Sequence, residues 1–311
     1  MKASKALTTV LLLLVGLLMA PGVASAAKRP HRPTTTTTTT LPTTTTTQRT
    51  TTTTQRTTTT TQRTTTTTTT APTTATTAAT TTTTVAPGTT GQSWLVPAYQ
   101  YPTDGTMWAT LADTAPTTRP AYVIVNIDSG PGTTLDSNYV AAITNAEAAG
   151  WTMLGYVDTA EASASVSSVE SQVETWRSLY GVQDIFLDDV TGAAANLSYY
   201  ETLTGYVHSL GGSDVLNPGA PPASGYLSTN VCNGIVVMED TLAAFESNPP
   251  PNYSGSSVQI AYIITSGPSQ ADLLSTLQAI KSRGGNLVYV SDQGNSYSDL
   301  PSYFAAENSY L

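Results

Sequence analysis

The sequence has few of the residues that form disulfides and metal sites: one cysteine, Cys232, and two histidines in 311 residues. One cysteine permits no internal disulfide, and together with two histidines it cannot assemble a structural zinc site. Residues 91–311 hold a single histidine, His208, which disfavours a Cys–His nucleophile there. We therefore expect no metal site, and we expect Cys232 to be buried as a small apolar side chain.

Basic residues are scarce after residue 90. Residues 1–90 contain eight Lys or Arg and no acid, whereas residues 91–311 contain four Lys or Arg and all 21 acids, a formal charge of −17. Nucleic-acid binding depends on Lys and Arg placed against phosphates. The charge balance therefore excludes nucleic acid as a partner and favours a neutral or cationic one.

Long hydrophobic runs are also missing. The apolar run from Val10 to Ala20 is shorter than the roughly 20 residues of a membrane-spanning helix. It follows two lysines and precedes the small residues Ala24, Ser25 and Ala26, which is the pattern of a cleaved secretory signal. We predict that residues 1–26 are a signal peptide, and that the mature chain is secreted without a membrane span.

Residues 27–90 are dominated by threonine with interspersed proline and alanine, a composition that cannot form a packed core. Within this segment Gln48-Arg49, Gln55-Arg56 and Gln62-Arg63 repeat every seven residues, each before a run of threonines. We predict a disordered linker, extended and open to O-glycosylation. Its regularly spaced arginines could hold the chain weakly against an anionic cell wall.

Eight runs of strand length follow residue 91, most of them continuously apolar. They are Trp94–Tyr101, Tyr122–Ile127, Trp151–Val157, Asp184–Asp188, Val215–Asn217, Gly234–Glu239, Val258–Ile264 and Asn286–Ser291. Strands buried on both faces of a parallel sheet have this pattern. Helical spacing of apolar residues separates several of them, and those helices end near Gly150, Gly181, Gly211 and Gly284.

This alternation predicts a (β/α)8 TIM barrel over residues 91–311. The pattern is weakest at the fifth and sixth units, because their connecting helices 223–230 and 242–247 are short. An open doubly wound sheet is the alternative fold. No G-x-G-x-x-G turn follows any strand, which disfavours that alternative and gives no reason to expect a cofactor.

Polar side chains concentrate at the predicted carboxyl ends of the strands, where TIM barrels carry their chemistry. They are Tyr99, Asn126, Asp128, Tyr156, Asp158, Asp188, Asp189, Asn217, Glu239, Asp240 and Asp292. Carboxylates that share one cleft repel each other, so one of them is expected to keep a proton at neutral pH, as a general acid must. This favours glycoside hydrolysis, with retention and inversion both open.

We assign the catalytic roles to Asp188 and Glu239, without deciding which of them protonates the leaving group. Side chains alternate along a strand, so Asp188 and Asp189 cannot both face the barrel mouth in strand geometry, and Asp189 is assigned a supporting role. Asp189, Asn126, Asp128, Tyr99, Tyr156, Asp158 and Asn217 are the predicted substrate-binding residues.

Aromatic residues with a polar group are abundant, with 16 Tyr and 4 Trp against 3 Phe. Sugars stack on such rings, and Tyr99, Tyr101, Trp108 and Tyr156 lie near predicted strand ends. Packing in the core or at the rim is the alternative for each of these rings.

Six segments resemble the spherulin 4-like family of secreted (β/α)8 glycoside hydrolases: VPAYQYP, VNIDSGPG, LGYVDT, IFLDDV, LNPG and VVMED, in order along residues 96–240. The resemblance implies an endo-acting hydrolase of α-1,4-linked galactosamine or N-acetylgalactosamine polymers, the activity described for fungal members. It places the acidic pair of the family on Asp188 and Asp189 and its strand-six glutamate on Glu239. The sequence departs from the family at Asp189, where we expect Glu more often.

Two functions follow from these observations. The first is a secreted, monomeric hydrolase of a neutral or cationic amino-sugar polysaccharide, using carboxylate acid–base chemistry. The second is a non-catalytic carbohydrate-binding or cell-surface module displayed on the threonine-rich linker. Loss of one carboxylate would abolish hydrolysis and would be tolerated by simple binding, so substitution at Asp188 or Glu239 separates the two.

Overall fold

The structure, a computed structural model, describes residues 89–311. The predicted signal peptide and all but the last two residues of the predicted linker lie outside the described residues. Within the described range, no helix is both long and apolar enough to cross a membrane.

Eight parallel strands close into a barrel in the order β1 to β8, which confirms the predicted TIM barrel and excludes the open sheet. The strands are β1 Ser93–Ala98, β2 Tyr122–Val125, β3 Thr152–Asp158, β4 Asp184–Asp188, β5 Asp214–Leu216, β6 Gly234–Thr241, β7 Gln259–Thr265 and β8 Gly285–Val290. Strand β1 pairs with both β2 and β8, which completes the closure. Because all strands are parallel, their carboxyl ends meet at one open end of the barrel, called the mouth below.

Seven α-helices surround the strands described here: α1 Met107–Asp113, α2 Ser137–Ala149, α3 Val166–Tyr180, α4 Leu197–Ser209, α5 Leu242–Ser247, α6 Leu273–Ser282 and α7 Phe304–Tyr310. As predicted, α2 and α3 end at left-handed Gly150 and Gly181. The short helix predicted at 242–247 is present. The helix predicted at 223–230 is wrong, because only the single 3-10 turn Ser224–Tyr226 forms there.

Two predicted strands end at least two residues earlier than the sequence pattern indicated. Strand β1 stops at Ala98 and β2 at Val125, so Tyr99 and Asn126 already belong to the loops at the mouth. Strand β6 runs further than predicted, to Thr241. The helix α1 that follows β1 was not predicted at all, and neither was α7.

The core lies both inside the barrel and between the barrel and its helices. Gly155 of β3 belongs to the LGYVDT segment, and its position explains why glycine is needed there. A Cβ at this position would lie 2.6 Å from the ring of Trp176 on α3. The Trp176 indole N–H donates to the Tyr156 carbonyl at 2.9 Å, so the helix rests directly on the strand. The predicted burial of Cys232 is confirmed, because its side chain is fully buried.

The two ends of the barrel sequence meet at its base, the end opposite the mouth. Thr90, which precedes β1, donates its backbone N–H to the carbonyl of Tyr310 at the end of α7, at 2.7 Å. The Asn308 side chain of α7 accepts from the Trp94 indole of β1 at 2.9 Å. Helix α7 therefore closes the barrel next to the point where the chain enters it.

Candidate active site

Asp188 and Glu239 meet at the mouth through a shared hydrogen-bond donor. The side-chain nitrogen of Asn217, Nδ2, donates to Asp188 Oδ1 at 2.7 Å and to Glu239 Oε2 at 2.6 Å. Two bonds from one nitrogen keep these carboxyl oxygens no more than about 5 Å apart. Strands β4, β5 and β6 are neighbours and supply one residue each, so the geometry follows from the strand order.

The orientation of the Asn217 amide is fixed by the turn that follows β5. Asn217 Oδ1 accepts from the backbone N–H of Gly219 at 3.0 Å, so this atom must be the oxygen and the donor group must face the carboxyls. Gly219 has φ +62°, and its carbonyl accepts from the backbone N–H of Glu239 at 3.0 Å. The Asn-Pro-Gly turn thus orients the Asn217 amide toward the carboxyls and also bonds to the backbone of Glu239.

Two tyrosines complete the hydrogen bonds of the two carboxyls, one on each side. The Tyr297 hydroxyl donates to Glu239 Oε1 at 2.6 Å, and the Tyr156 hydroxyl is hydrogen-bonded to Asp188. Tyr99 lies between these rings, edge-on to both, with centroid distances of 5.9 Å to Tyr156 and 5.5 Å to Tyr297. The acidic pair therefore sits in a frame of three tyrosines.

Burial and mutual repulsion make the pair retain a proton. Asp188 is 3% exposed, and its burial, followed by the negative charge of Glu239, raises its pKa to about 7. Burial likewise raises the pKa of Glu239, against the lowering effect of its bonds from Tyr297 and Asn217. Because the pKa of Asp188 reaches about 7, a substantial fraction of the molecules hold a proton on the pair near neutral pH, as acid–base catalysis at two carboxyls requires.

The charge of Asp189 also acts on the pair, although strand alternation alone would turn this side chain away. Strand β4 ends at Asp188, and Asp189 adopts a left-handed backbone with φ +48°, so the alternation rule no longer applies to it. Its negative charge contributes to the raised pKa of both Asp188 and Glu239. Three carboxyl groups thus interact at the centre of the mouth, two of them bridged by Asn217.

The remaining predicted binding residues lie around the mouth in the loops after β2 and β3. Asn126 Oδ1 accepts from Gly130 N–H at 3.1 Å and shapes the Ser-Gly-Pro-Gly loop, on which Asp128 is exposed. Asp158, at the end of β3, is half-buried and accepts from the backbone N–H of Ala160 at 2.7 Å. Asn126 and Asp158 thus bond to the backbone of their own loops at the mouth.

Two of the aromatic rings considered for sugar stacking, Trp108 and Tyr101, pack against other parts of the protein. Of the two alternatives for Trp108, the structure shows core packing: it lies in α1, is 3% exposed, and donates its indole N–H to the carbonyl of Gln100 at 2.8 Å. Tyr101 packs edge-on against Tyr139, and its hydroxyl donates to Asp136 at 3.0 Å. Both rings therefore have structural contacts outside the pair.

Tyr297 is the site residue that the sequence reasoning missed. It lies in the loop after β8, where no apolar pattern or motif marked it, with a left-handed φ of +50°. Its carbonyl accepts from the Tyr99 N–H at 2.9 Å, so the loops after β1 and β8 are joined at the mouth. The high tyrosine content was the one signal in the sequence, and it did not single out this position.

The four basic residues of the described range lie on segments that lead into strands, away from the mouth. They are Arg119 before β2, Arg177 in the last turn of α3, and Lys281 and Arg283 at the end of α6. Three of them donate to backbone carbonyls: Arg177 to Leu210, Lys281 to Gly91 and Arg283 to Pro250. These cations therefore lie toward the base of the barrel, away from the acids at the mouth.

A closed (β/α)8 barrel with a hydrogen-bonded pair of buried carboxyls at its C-terminal mouth is a glycoside hydrolase-like fold. The family is more specific. A profile of spherulation-specific family 4 matches residues 93–310, and the chain belongs to this family. This confirms the resemblance inferred from the sequence motifs.

Two relatives support the assignment. Spherulin-4 of Physarum polycephalum is 32% identical over 234 residues, which cover 69% of this chain and 68% of spherulin-4. Sph3 of Aspergillus clavatus, solved in complex with GalNAc, superposes with a TM-score of 0.61 at 25% identity, covering 71% of this chain and 98% of Sph3. A protein of the same fold thus binds an acetylated amino sugar.

Proposed function

We propose that this protein is a secreted glycoside hydrolase that cleaves a galactosamine-containing polysaccharide within the chain, with Asp188 and Glu239 as its catalytic residues. The observation that carries the proposal is the Asn217 amide, which holds the two carboxyl groups together at the barrel mouth. The GalNAc bound to Sph3 supports an amino-sugar substrate for the same barrel. The acidic mouth supports a neutral or partly deacetylated, cationic polymer.

The short separation of the two carboxyls favours a retaining mechanism. Retaining glycosidases hold their carboxyl groups about 5–5.5 Å apart, whereas inverting enzymes leave about 6.5–9.5 Å for a water molecule. The anionic member of the pair attacks the anomeric carbon, and the protonated member gives its proton to the leaving oxygen. Water then hydrolyses the covalent glycosyl intermediate, with the former acid acting as base.

The other mouth residues have supporting roles in this proposal. Asn217, Tyr156 and Tyr297 hold the carboxyls in place, and Tyr99 presents a half-buried ring beside them. Asp189, Asn126, Asp128 and Asp158 bind the sugar units around the scissile bond. We propose that the mature protein acts as a monomer outside the cell and can remain associated with the cell wall.

The test is cleavage of partly deacetylated α-1,4-galactosaminan by the purified full chain, measured as new reducing ends and product length. We expect cleavage, and we expect Asp188→Asn and Glu239→Gln each to lower the rate by at least about 10²-fold. Asp113→Asn, at an exposed acid on α1, is the matched control and should retain full activity. Proton NMR of the first products should show the α-anomer.

Other outcomes contradict parts of this proposal. Binding of the polymer without cleavage would instead support the carbohydrate-binding module. Cleavage that survives both substitutions would show that the assignment of the two carboxyls is wrong. A β-anomer as the first product would exclude retention.

A further inference from the structure

The loop after β3 contains a rare backbone conformation directly beside the catalytic strand β4. Three successive non-glycine residues, Ala160, Glu161 and Ala162, have φ values of +47°, +53° and +66°. Residues with a Cβ avoid this region because the Cβ crowds the following carbonyl. A run of three therefore persists only if surrounding contacts impose it, and such strain is concentrated at functional sites.

Besides bonds within its own loop, such as the one from the Ala160 N–H to the Asp158 carboxylate, this turn is bonded to the carbonyls of Asp188 and Asp189. Thr159, immediately before the turn and 0% exposed, donates its backbone N–H to the Asp188 carbonyl at 3.0 Å. Its hydroxyl lies 2.8 Å from the Asp188 carbonyl and 2.9 Å from the Asp189 carbonyl. Glu161 donates its N–H to the Asp189 carbonyl at 2.8 Å.

The direction of the hydrogen bonds at Thr159 is determined by the donors available. The backbone N–H of Thr191 donates to the Tyr200 hydroxyl at 3.2 Å. The single proton of the Thr159 hydroxyl is shared between the two aspartate carbonyls, so the Tyr200 hydroxyl, 3.2 Å away, must be the donor to Thr159. In this chain of hydrogen bonds, from Thr191 through Tyr200 and Thr159 to the aspartate carbonyls, every donated proton therefore has an acceptor.

The peptide group after Asp189 is held at both ends. Its carbonyl accepts from Thr159 and Glu161, and its N–H, belonging to Val190, donates to the Asn217 carbonyl at 3.1 Å. The peptide before Asp189 is held as well, because Thr159 bonds to the Asp188 carbonyl. Two fixed peptide planes constrain both φ and ψ of the residue between them. Asp189 is that residue, and its φ is +48°.

We propose that Thr159, together with the left-handed turn Ala160–Ala162, is a positioning element that holds Asp189 in its left-handed conformation and turns its carboxylate toward the Asp188–Glu239 pair. The consequence for catalysis rests on the proposed hydrolase function. The raised pKa values of Asp188 and Glu239, to which the Asp189 charge contributes, agree with this placement. Thr159 itself contacts neither carboxyl group of the pair through any bond described above.

The test measures the pKa of Asp188 by carbon-13 NMR of labelled aspartate in the full chain. Thr159→Val keeps the shape of the side chain and removes the hydroxyl, so Asp189 should turn away and the Asp188 pKa should fall by about half a unit to one unit. Thr159→Ser keeps the hydroxyl and should restore the wild-type value. Thr276→Val removes a comparable buried hydroxyl on α6, bonded to the Asp272 carbonyl, and should change nothing.

A double-substitution cycle distinguishes positioning from a general structural effect. Asp189→Asn removes the charge, and asparagine tolerates the left-handed conformation. It should lower the Asp188 pKa by itself, and adding Thr159→Val should then have no further effect. If Thr159→Val leaves the Asp188 pKa unchanged, or shifts it equally with and without the Asp189 charge, the proposal is wrong.

Activity provides a separate measurement. With the galactosaminan substrate, Thr159→Val should lower kcat about tenfold and move the alkaline limb of its pH profile to lower pH, while thermal unfolding stays cooperative. Failure of the wild type to cleave would refute the proposed function and leave the NMR result valid. Normal cleavage by the wild type with an unaltered pH profile in Thr159→Val would refute the positioning role alone.

Discussion

Glu239 accepts one hydrogen bond on each carboxyl oxygen, from Asn217 and from Tyr297. Only one of these two donors could be predicted from the sequence. Asn217 lies in a motif at a strand end, so the sequence indicated it. Tyr297 lies in a loop after the last strand and reaches Glu239 from across the mouth. Only the closure of β8 onto β1 brings that loop to the site, and this contact between distant segments has no local sequence signal.

We predict that Tyr297→Phe lowers kcat/KM by about ten- to a hundredfold, the loss expected for one hydrogen bond to a charged group. The Glu239 pKa should also rise, because the bond from Tyr297 favours the anionic form. Initial rates across a pH range measure both effects. Tyr226→Phe, which removes a hydroxyl bonded to the Ala193 carbonyl, is the control. Equal losses in the two variants would show that the Tyr297 hydroxyl has no particular role.

A second prediction concerns the buried carboxyl of Asp188. Its pKa in the folded protein, about 7, lies above its ordinary value of 3.8, so the folded state binds this proton more tightly than the unfolded state. The stability it contributes is present below about pH 4 and is lost as the pH rises to about 7. Asp188→Asn should therefore raise the free energy of unfolding by about 1–3 kcal/mol at pH 8, and by much less at pH 4.

Urea unfolding at the two pH values measures this difference. Asp113→Asn, at an exposed acid, should show no comparable pH-dependent gain. A stabilisation of Asp188→Asn that is the same at pH 4 and pH 8 would contradict the raised pKa as its cause.

The alternation rule shows a limit of the sequence reasoning at Asp188 and Asp189. The rule separates two adjacent acids only while both are in strand geometry. It could not show that the strand ends at Asp188 and that the next residue is left-handed. That conformation is imposed by contacts from the loop after β3, which are tertiary.

At the level of elements, the eight strands could be predicted because burial on both faces leaves a continuous apolar run. Helices α2, α3, α4 and α6 have enough turns to show an apolar stripe and a terminal glycine. Helices α1 and α7, with seven residues each, are too short to establish that periodicity. The segment 223–230 has apolar residues, but it forms only the turn Ser224–Tyr226, so tertiary packing decides its conformation.

The contact between β3 and α3 gives a prediction at this scale. Gly155→Ala would place a Cβ 2.6 Å from the Trp176 ring, and because the helix must shift we expect a loss of about 1–3 kcal/mol of stability. Gly205→Ala, on the exposed face of α4 with no atom near the new Cβ, should instead stabilise by about 0.5–1 kcal/mol. Chemical denaturation measures both. A stable Gly155→Ala variant would show that α3 does not rest tightly on β3.

At the scale of the whole molecule, the acidic mouth is separated from the four cations of the described residues, which lie on segments leading into strands. Other acids, such as Asp184 and Asp214, lie at the amino ends of strands. The composition predicted an acidic domain, and the strand ends predicted where the acids would gather. The placement of the cations follows from the fold, since α3 and α6 end at the base.

This separation predicts that recognition of a cationic polymer depends on salt. Raising the ionic strength from about 0.01 M to about 0.15 M shortens the Debye length from about 30 Å to about 8 Å, so KM for partly deacetylated galactosaminan should rise several-fold. KM for the fully acetylated, neutral polymer should change little under the same conditions, which provides the control. Equal salt effects on the two polymers would show that the mouth charge does not select the substrate.

The hydrogen bond between Thr90 and Tyr310 has a practical consequence for how this barrel can be attached to anything. Both ends of the described chain leave from the base, so an anchor, a fusion partner or a solid support joined at either end leaves the mouth unobstructed. The same proximity suits circular permutation, because a short peptide could join residue 311 to residue 90 while new ends open in an exposed loop. A barrel immobilised in this way would keep its open end toward the solution, where a long polymer can approach it.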